Sequence, residues 1–228
     1  MPDGFVSISA SRAIDAAVSA RAMLKHPFYQ AWTEGRLPMA ALQDYARQYF
    51  HHVEAFPRAV SAVHAHCPDA QGRKMLAENL AEEEGLGEGK TDHATLWMRF
   101  AEGLGVTPEA VRAAALHPET QRLIDAFRTL SQRSYAAGLG ALYAYESQLP
   151  AIASTKIAGL ARYRVTDADA IRFFAVHEQA DVEHAAVCRA LLDALPPGER
   201  AEAEAAGAAL GDALWGFLDG VERAAGLH

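Results

Sequence analysis

Cysteine is scarce in this sequence, and the two residues present cannot build a disulfide framework. The 228 residues contain only Cys67 and Cys188, whose separation does not match the CxxC spacing of redox and zinc motifs. Cys67 lies outside the predicted apolar helix faces, so it is the only candidate for a nucleophilic thiol.

Basic clusters and long apolar runs are also missing. The formal net charge is -8, and no segment concentrates lysine and arginine into the stripe that binding to phosphates requires. No segment approaches the roughly 20 apolar residues of a membrane span, and the N-terminus MPDGFVSISASRA lacks a signal-peptide pattern. We therefore expect a cytoplasmic protein that binds neither nucleic acid nor membrane.

Segments that alternate apolar and polar residues between turn signals are absent too, so no strand is predicted. The chain is 50% hydrophobic and 22% charged, as is typical of a folded globular protein. Helical periodicity and alanine-rich segments predict an all-α bundle of about seven to nine helices, in a single domain over residues 1–228. The predicted helices span residues 8–24, 39–66, 69–85, 92–103, 108–115, 119–134, 135–158, 168–194 and 199–223.

Proline and glycine divide these helices. Thr107 and Pro108 place a capping hydroxyl before a proline at the first helical position, where no amide donor is needed. Pro150 lies inside the segment 135–158 and should kink it, because proline lacks an amide hydrogen and its ring crowds the preceding turn. Gly159 can adopt the left-handed conformation that ends a helix.

Polar residues fall on the apolar stripes of several predicted helices. In the segment 168–194, His177, Asp181 and His184 are separated by four and three residues. At about 100° per residue they lie on one face, in the middle of the apolar direction. Two imidazoles and one carboxylate are therefore predicted to face the core.

Three further residues satisfy the same test. In the triplet Glu82, Glu83 and Glu84, only Glu83 lies within the apolar stripe, since its neighbours are rotated away by about 100° each. Glu146 lies at the centre of the stripe of its helix. His93 precedes Leu96, Trp97 and Phe100 by three, four and seven residues, which places it on the inner face.

Each of these residues also has an ordinary structural explanation. A lone buried histidine is usually a hydrogen-bonded core residue, and a glutamate in a triplet usually faces solvent. Three carboxylates buried together are different, because their charges need an offset and no lysine or arginine lies on the same stripes.

Two divalent cations would provide that offset. Three imidazoles and three carboxylates suit iron or manganese, and six ligands shared by two ions leave open positions for oxygen or substrate. We predict the dinuclear metal site of an oxygenase. The alternative function that also uses a metal is a zinc hydrolase.

Several motifs resemble one family over about residues 20 to 220. The chain is similar to the chlamydial protein associated with death domains and its bacterial relatives, which share the heme-oxygenase-like helical bundle with the quinone synthase PqqC and the TenA thiaminases. The motifs are HPFYQAW (26–32), the segment that begins at Tyr45, NLAEEEG (79–85), DHATLWMRFAEGLGVTPE (92–109), ALYAYESQLPAIASTKIAGL (141–160) and HEQADVEHA (177–185).

The resemblance implies a dimetal oxygenase that makes para-aminobenzoate for folate biosynthesis from one of its own tyrosines. It implies two iron ions, or one manganese and one iron, together with molecular oxygen and an external reductant. The ligands that it implies are those that the helical wheels select: Glu83, His93, Glu146, His177, Asp181 and His184.

The resemblance also assigns three residues to the chemistry. Tyr29 would be the tyrosine that is consumed, Tyr45 would assist it, and Lys156 would supply the amino group. Lys156 follows Glu146 by ten residues, about 15 Å along a straight helix, so it reaches the metals only if the Pro150 kink or its flexible side chain brings it inward. Tyr29 and Tyr45 can equally be core aromatic residues with hydrogen-bonded hydroxyl groups.

One segment departs from the family pattern. The loop EGLGEGKTD (84–92) is longer than the form typical of the family, which leaves the positions next to Glu83 open as alternatives for the first ligand. Its glycines at 85, 87 and 89 would let the longer loop close without displacing the helices.

Other functions remain open from the sequence. The metals could oxidise an external small molecule such as an amine, a fatty acid or a quinone precursor, or the chain could be a metal-free oxidase like PqqC. A thiaminase would need a suitably placed cysteine, and a protein-interaction adaptor would need an exposed apolar stripe.

We expect a homodimer. The C-terminal segment around Leu214, Trp215, Phe217 and Leu218 either packs on the bundle or forms a dimer contact.

Overall fold

The fold is helical throughout the described part of the chain, as predicted. A computed structural model describes residues 9–227, except for the side chains at positions 179 and 180. These residues contain eleven α-helices, one 3₁₀ turn (Met23–Lys25) and no strand. The α-helices are α1 (Ala10–Ala20), α2 (Pro27–Thr33), α3 (Met39–His66), α4 (Ala70–Glu83), α5 (His93–Gly103), α6 (Pro108–Arg112), α7 (Pro118–Arg133), α8 (Tyr135–Glu146), α9 (Leu149–Arg162), α10 (Ala168–Asp193) and α11 (Pro197–Ala224).

The central element is α8. Its sequence YAAGLGALYAYE is apolar on every face, and each residue from Ala136 to Glu146 is buried. A helix without a polar face is stable only when other helices surround it, and α1, α3, α7, α10 and α11 all pack against α8. Glu146, the last residue of α8, is therefore carried into the interior.

Helix caps determine where the helices on one side of α8 begin. Asp92 accepts a hydrogen bond at Oδ1 from the amide of Thr95 at 2.7 Å, so α5 starts at His93. Thr107 caps α6 as predicted, through a hydrogen bond from the amide of Ala110. Helices α3, α4, α5 and α10 pack beside one another around this region.

Two helices differ from the prediction. Helix α2 was missed because it is only seven residues long; it begins after His26, whose side chain accepts a hydrogen bond from the amide of Phe28. The predicted helix 135–158 is two helices, α8 and α9, with a break at Ser147 and Gln148. These two differences raise the number of α-helices from the predicted nine to eleven.

Pro150 and Gly159 explain why α9 behaves differently from its prediction. Pro150 is in the first turn of α9, where a missing amide hydrogen costs nothing, so it starts a helix rather than kinking one. Gly159 lies inside α9, where a Cβ atom would stand 2.5 Å from Cδ1 of Trp32. Glycine is needed there for close packing, and the prediction that it ends the helix was wrong.

The C-terminal helix packs on the bundle. Leu214, Phe217 and Leu218 of α11 are fully buried, which decides between the two predicted roles of this segment in favour of packing within the chain. The expected homodimer stays a prediction. The single domain over residues 1–228 also stays a prediction. Residues 1–8 and 228 lie outside the described residues, and so does the predicted start of the first helix at residue 8.

No helix among residues 9–227 is both long and apolar enough to cross a bilayer. Large hydrophobic side chains are exposed at only three positions in this part of the chain, Met39, Leu86 and Val182.

The contact between α8 and α11 predicts a large cost for one added methyl group. In Gly140→Ala, the new Cβ atom would lie 2.2 Å from the carbonyl oxygen of Ala203, so the helices must separate. We expect unfolding in urea to show a loss of about 1–3 kcal/mol. Gly216→Ala is the matched control, because nothing lies within 4 Å of its Cβ position and alanine favours the helix. Equal stability of the two variants would contradict this packing.

Candidate metal centre

The structure places the six predicted metal ligands on four helices. Glu83 ends α4, His93 begins α5, and Glu146 ends α8. The other three occupy successive turns of α10. Five of the six residues are buried, and the side chain of His184 is 11% exposed. Their role in binding a metal stays a prediction.

Three of these side chains converge on one point. Glu83, His93 and His177 each offer a ligand atom, and these atoms lie within 4.8 Å of one another. Nδ1 of His93 stands 2.7 Å from Oε2 of Glu83, yet their directions do not form a hydrogen bond and Nδ1 has no partner. Buried polar atoms are almost always paired, so an orphaned imidazole nitrogen beside a carboxylate fits a cation site.

His177 is oriented by the main chain. Its Nδ1 lies 2.7 Å from the carbonyl oxygen of Phe173, one turn earlier on α10. A carbonyl oxygen can only accept, so Nδ1 donates and the lone pair of the neutral ring is on Nε2. Histidines that bind metals are commonly held in this way.

Glu146, Asp181 and His184 lie near this group. In the described part of the chain, their ligand atoms do not all come within 4.8 Å of one another, as those of the first group do. Nδ1 of His184 is 3.4 Å from Oδ1 of Asp181, and both Nδ1 and the other oxygen of Asp181 lack hydrogen-bond partners. Glu146 accepts hydrogen bonds from Asn79 at 2.7 Å and from the thiol of Cys188 at 3.2 Å.

Burial makes the negative charges of the three carboxylates costly. It raises the pKa of Glu83 to about 7, although the charges of His177 and His184 act in the opposite direction. It also raises the pKa of Glu146 and of Asp181. No lysine or arginine in residues 9–227 forms an ion pair with any of them. A bound cation would remove the need for these groups to hold protons.

The imidazoles differ from one another. Burial lowers the pKa of His93 to about 4 and lowers the pKa of His177, so both rings are neutral and have a free lone pair. Burial also acts to lower the pKa of His184, but Asp181 and the charge of Glu146 outweigh it and raise this pKa to about 9. His184 is thus the only one of the three rings at which the carboxylates outweigh burial and favour the charged form.

A second cluster holds the residues that the motifs assign to the chemistry. The hydroxyl groups of Tyr29 and Tyr45 are 2.9 Å apart, and Nζ of Lys156 donates a hydrogen bond to the hydroxyl of Tyr45. The same Nζ lies 4.6 Å from the centre of each of these two rings. Because α9 starts afresh after the break at Ser147 and Gln148, Lys156 turns inward without a kink in a continuous helix.

A tyrosine pair that was not predicted from the sequence lies between the two clusters. The hydroxyl groups of Tyr49 and Tyr145 are 2.8 Å apart, and the ring of Tyr49 stacks on that of Tyr45 at 5.4 Å. The charges of Glu83 and Asp181 contribute to raising the pKa of both Tyr49 and Tyr145, which places the pair near the carboxylates. The signal was available, since Tyr49 follows Tyr45 by one helical turn and Tyr145 adjoins Glu146.

Asn79 was missed as well. It lies one turn before Glu83 on α4, and its amide nitrogen holds Oε1 of Glu146 while its own oxygen has no partner. Its position on the same helix face as Glu83 was the available signal.

Another group of possible ligands, His26, Asp219 and Glu222, has a structural explanation. Nδ1 of His26 accepts a hydrogen bond from the amide of Phe28, so the neutral ring carries its proton on Nε2 and donates it to Asp219 at 3.0 Å. Both nitrogens are engaged, and His26 joins the start of α2 to α11.

Comparisons with known proteins agree with this architecture. The profile of a family described as iron-containing redox enzymes matches residues 43–216. A 4-aminobenzoate synthase of Nitrosomonas europaea is 41% identical, over 91% of this chain and 89% of its own length. A 4-aminobenzoate synthase of Chlamydia pneumoniae is 40% identical, over 90% of this chain and 91% of its own length.

Solved structures agree on the fold. A TenA homologue from Pyrococcus horikoshii superposes with a TM-score of 0.76 at 14% identity, over 95% of this chain and 99% of the other. The fold expected from the motifs is thereby confirmed.

The environment of Lys156 predicts how stability depends on pH. Burial lowers the pKa of this amine well below 10.5, so below that pH the unfolded chain binds a proton that the folded chain rejects. The wild-type protein therefore loses stability as the pH falls from about 10.5 towards the lowered pKa, by up to about 1.4 kcal/mol per pH unit. Lys156→Met removes this penalty.

The measurement is unfolding in urea at pH 6 and pH 9. We expect the stability of Lys156→Met relative to wild type to be greater at pH 6 than at pH 9. The lost hydrogen bond to Tyr45 shifts both values alike. A difference that does not change with pH would mean that Lys156 is not buried as a neutral amine.

Proposed function

Because the chain belongs to the heme-oxygenase-like family of iron-containing redox enzymes, we propose that it makes 4-aminobenzoate by oxidising its own Tyr29. The observation that carries the proposal is the contact of a buried lysine amine with two buried tyrosines, beside a group of unpaired acidic and imidazole side chains. The synthases of Nitrosomonas and Chlamydia resemble the chain over about nine-tenths of its length.

We assign six residues to the binding of two ions. The unpartnered atoms on His93, Asp181 and His184 support this assignment, as does the burial of three carboxylates without a positive partner. The donor set suits two iron ions, or one manganese and one iron. The ligands are Glu83, His93, Glu146, His177, Asp181 and His184. When bound, the ions would activate molecular oxygen with electrons from an external reductant.

Tyr29 would supply the aromatic ring and its Cβ atom. In 4-aminobenzoate the ring carries a carboxyl group and an amino group, so Cβ of Tyr29 would become the carboxyl carbon after its bond to Cα breaks. Oxygen is the oxidant for this change. Since the side chain of Tyr29 is consumed, each chain would act once.

Lys156 would supply the nitrogen that replaces the phenol oxygen. Its amine would condense with the oxidised ring and release the phenol oxygen as water, and hydrolysis of the Cε–N bond after a proton shift would leave an aldehyde on Lys156. Burial lowers the pKa of this amine, so its lone pair is available rather than protonated. Tyr45 would position the two reactants, because its hydroxyl contacts both the Tyr29 hydroxyl and the Lys156 amine. The surrounding aromatic residues exclude water, which limits side reactions.

The alternatives have less support. Cys188 donates to Glu146 and burial raises the pKa of its thiol well above the ordinary value, while Cys67 is buried against the start of α4, so neither is an activated nucleophile for a thiaminase. Only three large hydrophobic side chains are exposed in residues 9–227, which gives an adaptor little support. Iron in the matched family disfavours the zinc hydrolase and the metal-free oxidase.

The test is a single-turnover reaction followed by mass spectrometry. The protein is loaded anaerobically with ferrous iron, with and without manganese, and then given a reductant and oxygen. We expect at most one 4-aminobenzoate per chain, and a tryptic peptide in which Tyr29 has lost its side chain. Tyr29→Phe and Lys156→Met should release no 4-aminobenzoate.

Tyr163→Phe is the matched control, because this tyrosine lies at the end of α9 and bonds to the amide of Leu37, away from the cluster. It should react like the wild type. An intact Tyr29 peptide with no aromatic amine released, or repeated turnover on an added substrate, would contradict the proposed self-consumption.

A further inference from the structure

Glu82 precedes the proposed ligand Glu83 but contacts a different set of residues. Consecutive residues on a helix diverge by about 100°, so Glu83 turns into the core while Glu82 stays at its edge with 34% of its side chain exposed. One oxygen of Glu82, Oε2, lies 3.1 Å from Nε2 of His184. The other, Oε1, accepts a hydrogen bond from Nζ of Lys90 at 2.8 Å.

The two ring nitrogens of His184 have different surroundings. Nε2 faces Glu82, whereas Nδ1 is buried, faces Asp181 and has no hydrogen-bond partner. Histidines that bind metals ordinarily use one nitrogen for the ion and donate the other N–H to a carboxylate, which fixes the ring and makes it a better ligand.

We infer that Glu82 is a positioning residue that holds the ring of His184 through the ion-pair contact at Nε2, so that Nδ1 is the ligand atom, and that Lys90 in turn holds Glu82. This inference rests on the metal centre proposed above. It gives Glu82 and Glu83, neighbours in one triplet, separate tasks, since one orients a ligand on α10 and the other is itself a ligand.

The long loop between α4 and α5 brings Lys90 to this place. Gly85 has a φ of +65°, and a Cβ atom there would lie 2.3 Å from the amide nitrogen of Asp92, so the loop folds back on itself at this residue. Lys90 thereby returns to the end of α4. The loop thus supplies a contact to the carboxylate that orients His184.

The contact between Glu82 and His184 matters because this side of the site is open. A cavity of about 370 Å³ lies beside the loop and is lined by Glu82, Lys90, His93 and Arg172, among others. The side chain of His184 is 11% exposed, so packing does not fully enclose its ring. The contact with Glu82 then keeps the ring directed inward.

The test compares metal affinities of the full-length chain by anaerobic titration with ferrous, manganous and cobaltous ions. Wild type should bind two ions. Glu82→Ala should weaken one of them by about 10- to 100-fold and leave the other unchanged. Glu82→Gln keeps a carbonyl acceptor for Nε2–H and should recover part of the loss. Lys90→Met should cost at most a few-fold, because an exposed ion pair contributes little.

Glu84→Ala is the matched control, since Glu84 is the exposed third member of the triplet. A second measurement reports on His184 directly. In the cobalt-loaded protein, the imidazole N–H protons of the ligands give shifted, exchangeable NMR signals. The His184 signal should exchange with solvent faster in Glu82→Ala than in Glu84→Ala.

The outcomes separate this inference from the proposal beneath it. Two ions bound by wild type, with the same affinities and exchange rates in Glu82→Ala, would overturn the role of Glu82 and leave the metal centre standing. Fewer than two ions bound by wild type would overturn both. If circular dichroism shows that Glu82→Ala does not fold, Glu82→Met decides, because it keeps the length of the side chain without an acceptor; metal affinities and an N–H exchange rate equal to those of wild type would then overturn the role of Glu82.

Discussion

The structure depends on how the negative charges of three carboxylates inside a helical bundle are offset. Glu83, Glu146 and Asp181 are each at most 5% exposed, and no lysine or arginine pairs with them in residues 9–227. An isolated buried charge is too costly to persist, so such groups hold protons or bind cations. The nearby imidazoles favour cations, because two of them are neutral and direct free lone pairs into the same space. The cost of burying these groups is therefore what makes them suitable ligands.

The arrangement of the helices separates this acidic region from the amine of Lys156, and a row of tyrosines connects the two. Helix α8 is buried on all faces and ends at Glu146, so a proposed ligand and Tyr145 are adjacent in the chain. Tyr145 pairs with Tyr49, and the stacked rings of Tyr49 and Tyr45 lead to the cluster of Tyr29, Tyr45 and Lys156. The break between α8 and α9 then turns Lys156 towards the tyrosines. One interrupted segment of chain thus contributes to both clusters.

Much of this could be predicted from periodicity, and the failures have physical causes. Helix α3 was predicted to the residue, and the long helices α10 and α11 to within two residues, because their apolar stripes extend over many turns. The wheels selected six side chains, of which five are buried, because a polar residue within an apolar stripe has no other position to take. Helix α2 was too short to show a period, and the proline rule was applied to Pro150 as an interior residue although it begins a helix. The contacts of Tyr49, Asn79 and Glu82 depend on tertiary packing between helices, which a wheel of one helix cannot contain. Their spacing nevertheless placed each within a turn of a residue that had been singled out.

The central claim is that these side chains enclose two cations, and anomalous X-ray diffraction tests it most directly. Crystals grown with iron and manganese would be measured on both sides of the absorption edge of each metal. We expect two anomalous peaks, with Glu83, His93 and His177 around one and with Glu146, Asp181 and His184 contributing to the other. A single peak would contradict the site for two ions, and no peak within reach of these side chains while they remain buried would show that protons offset the carboxylates instead.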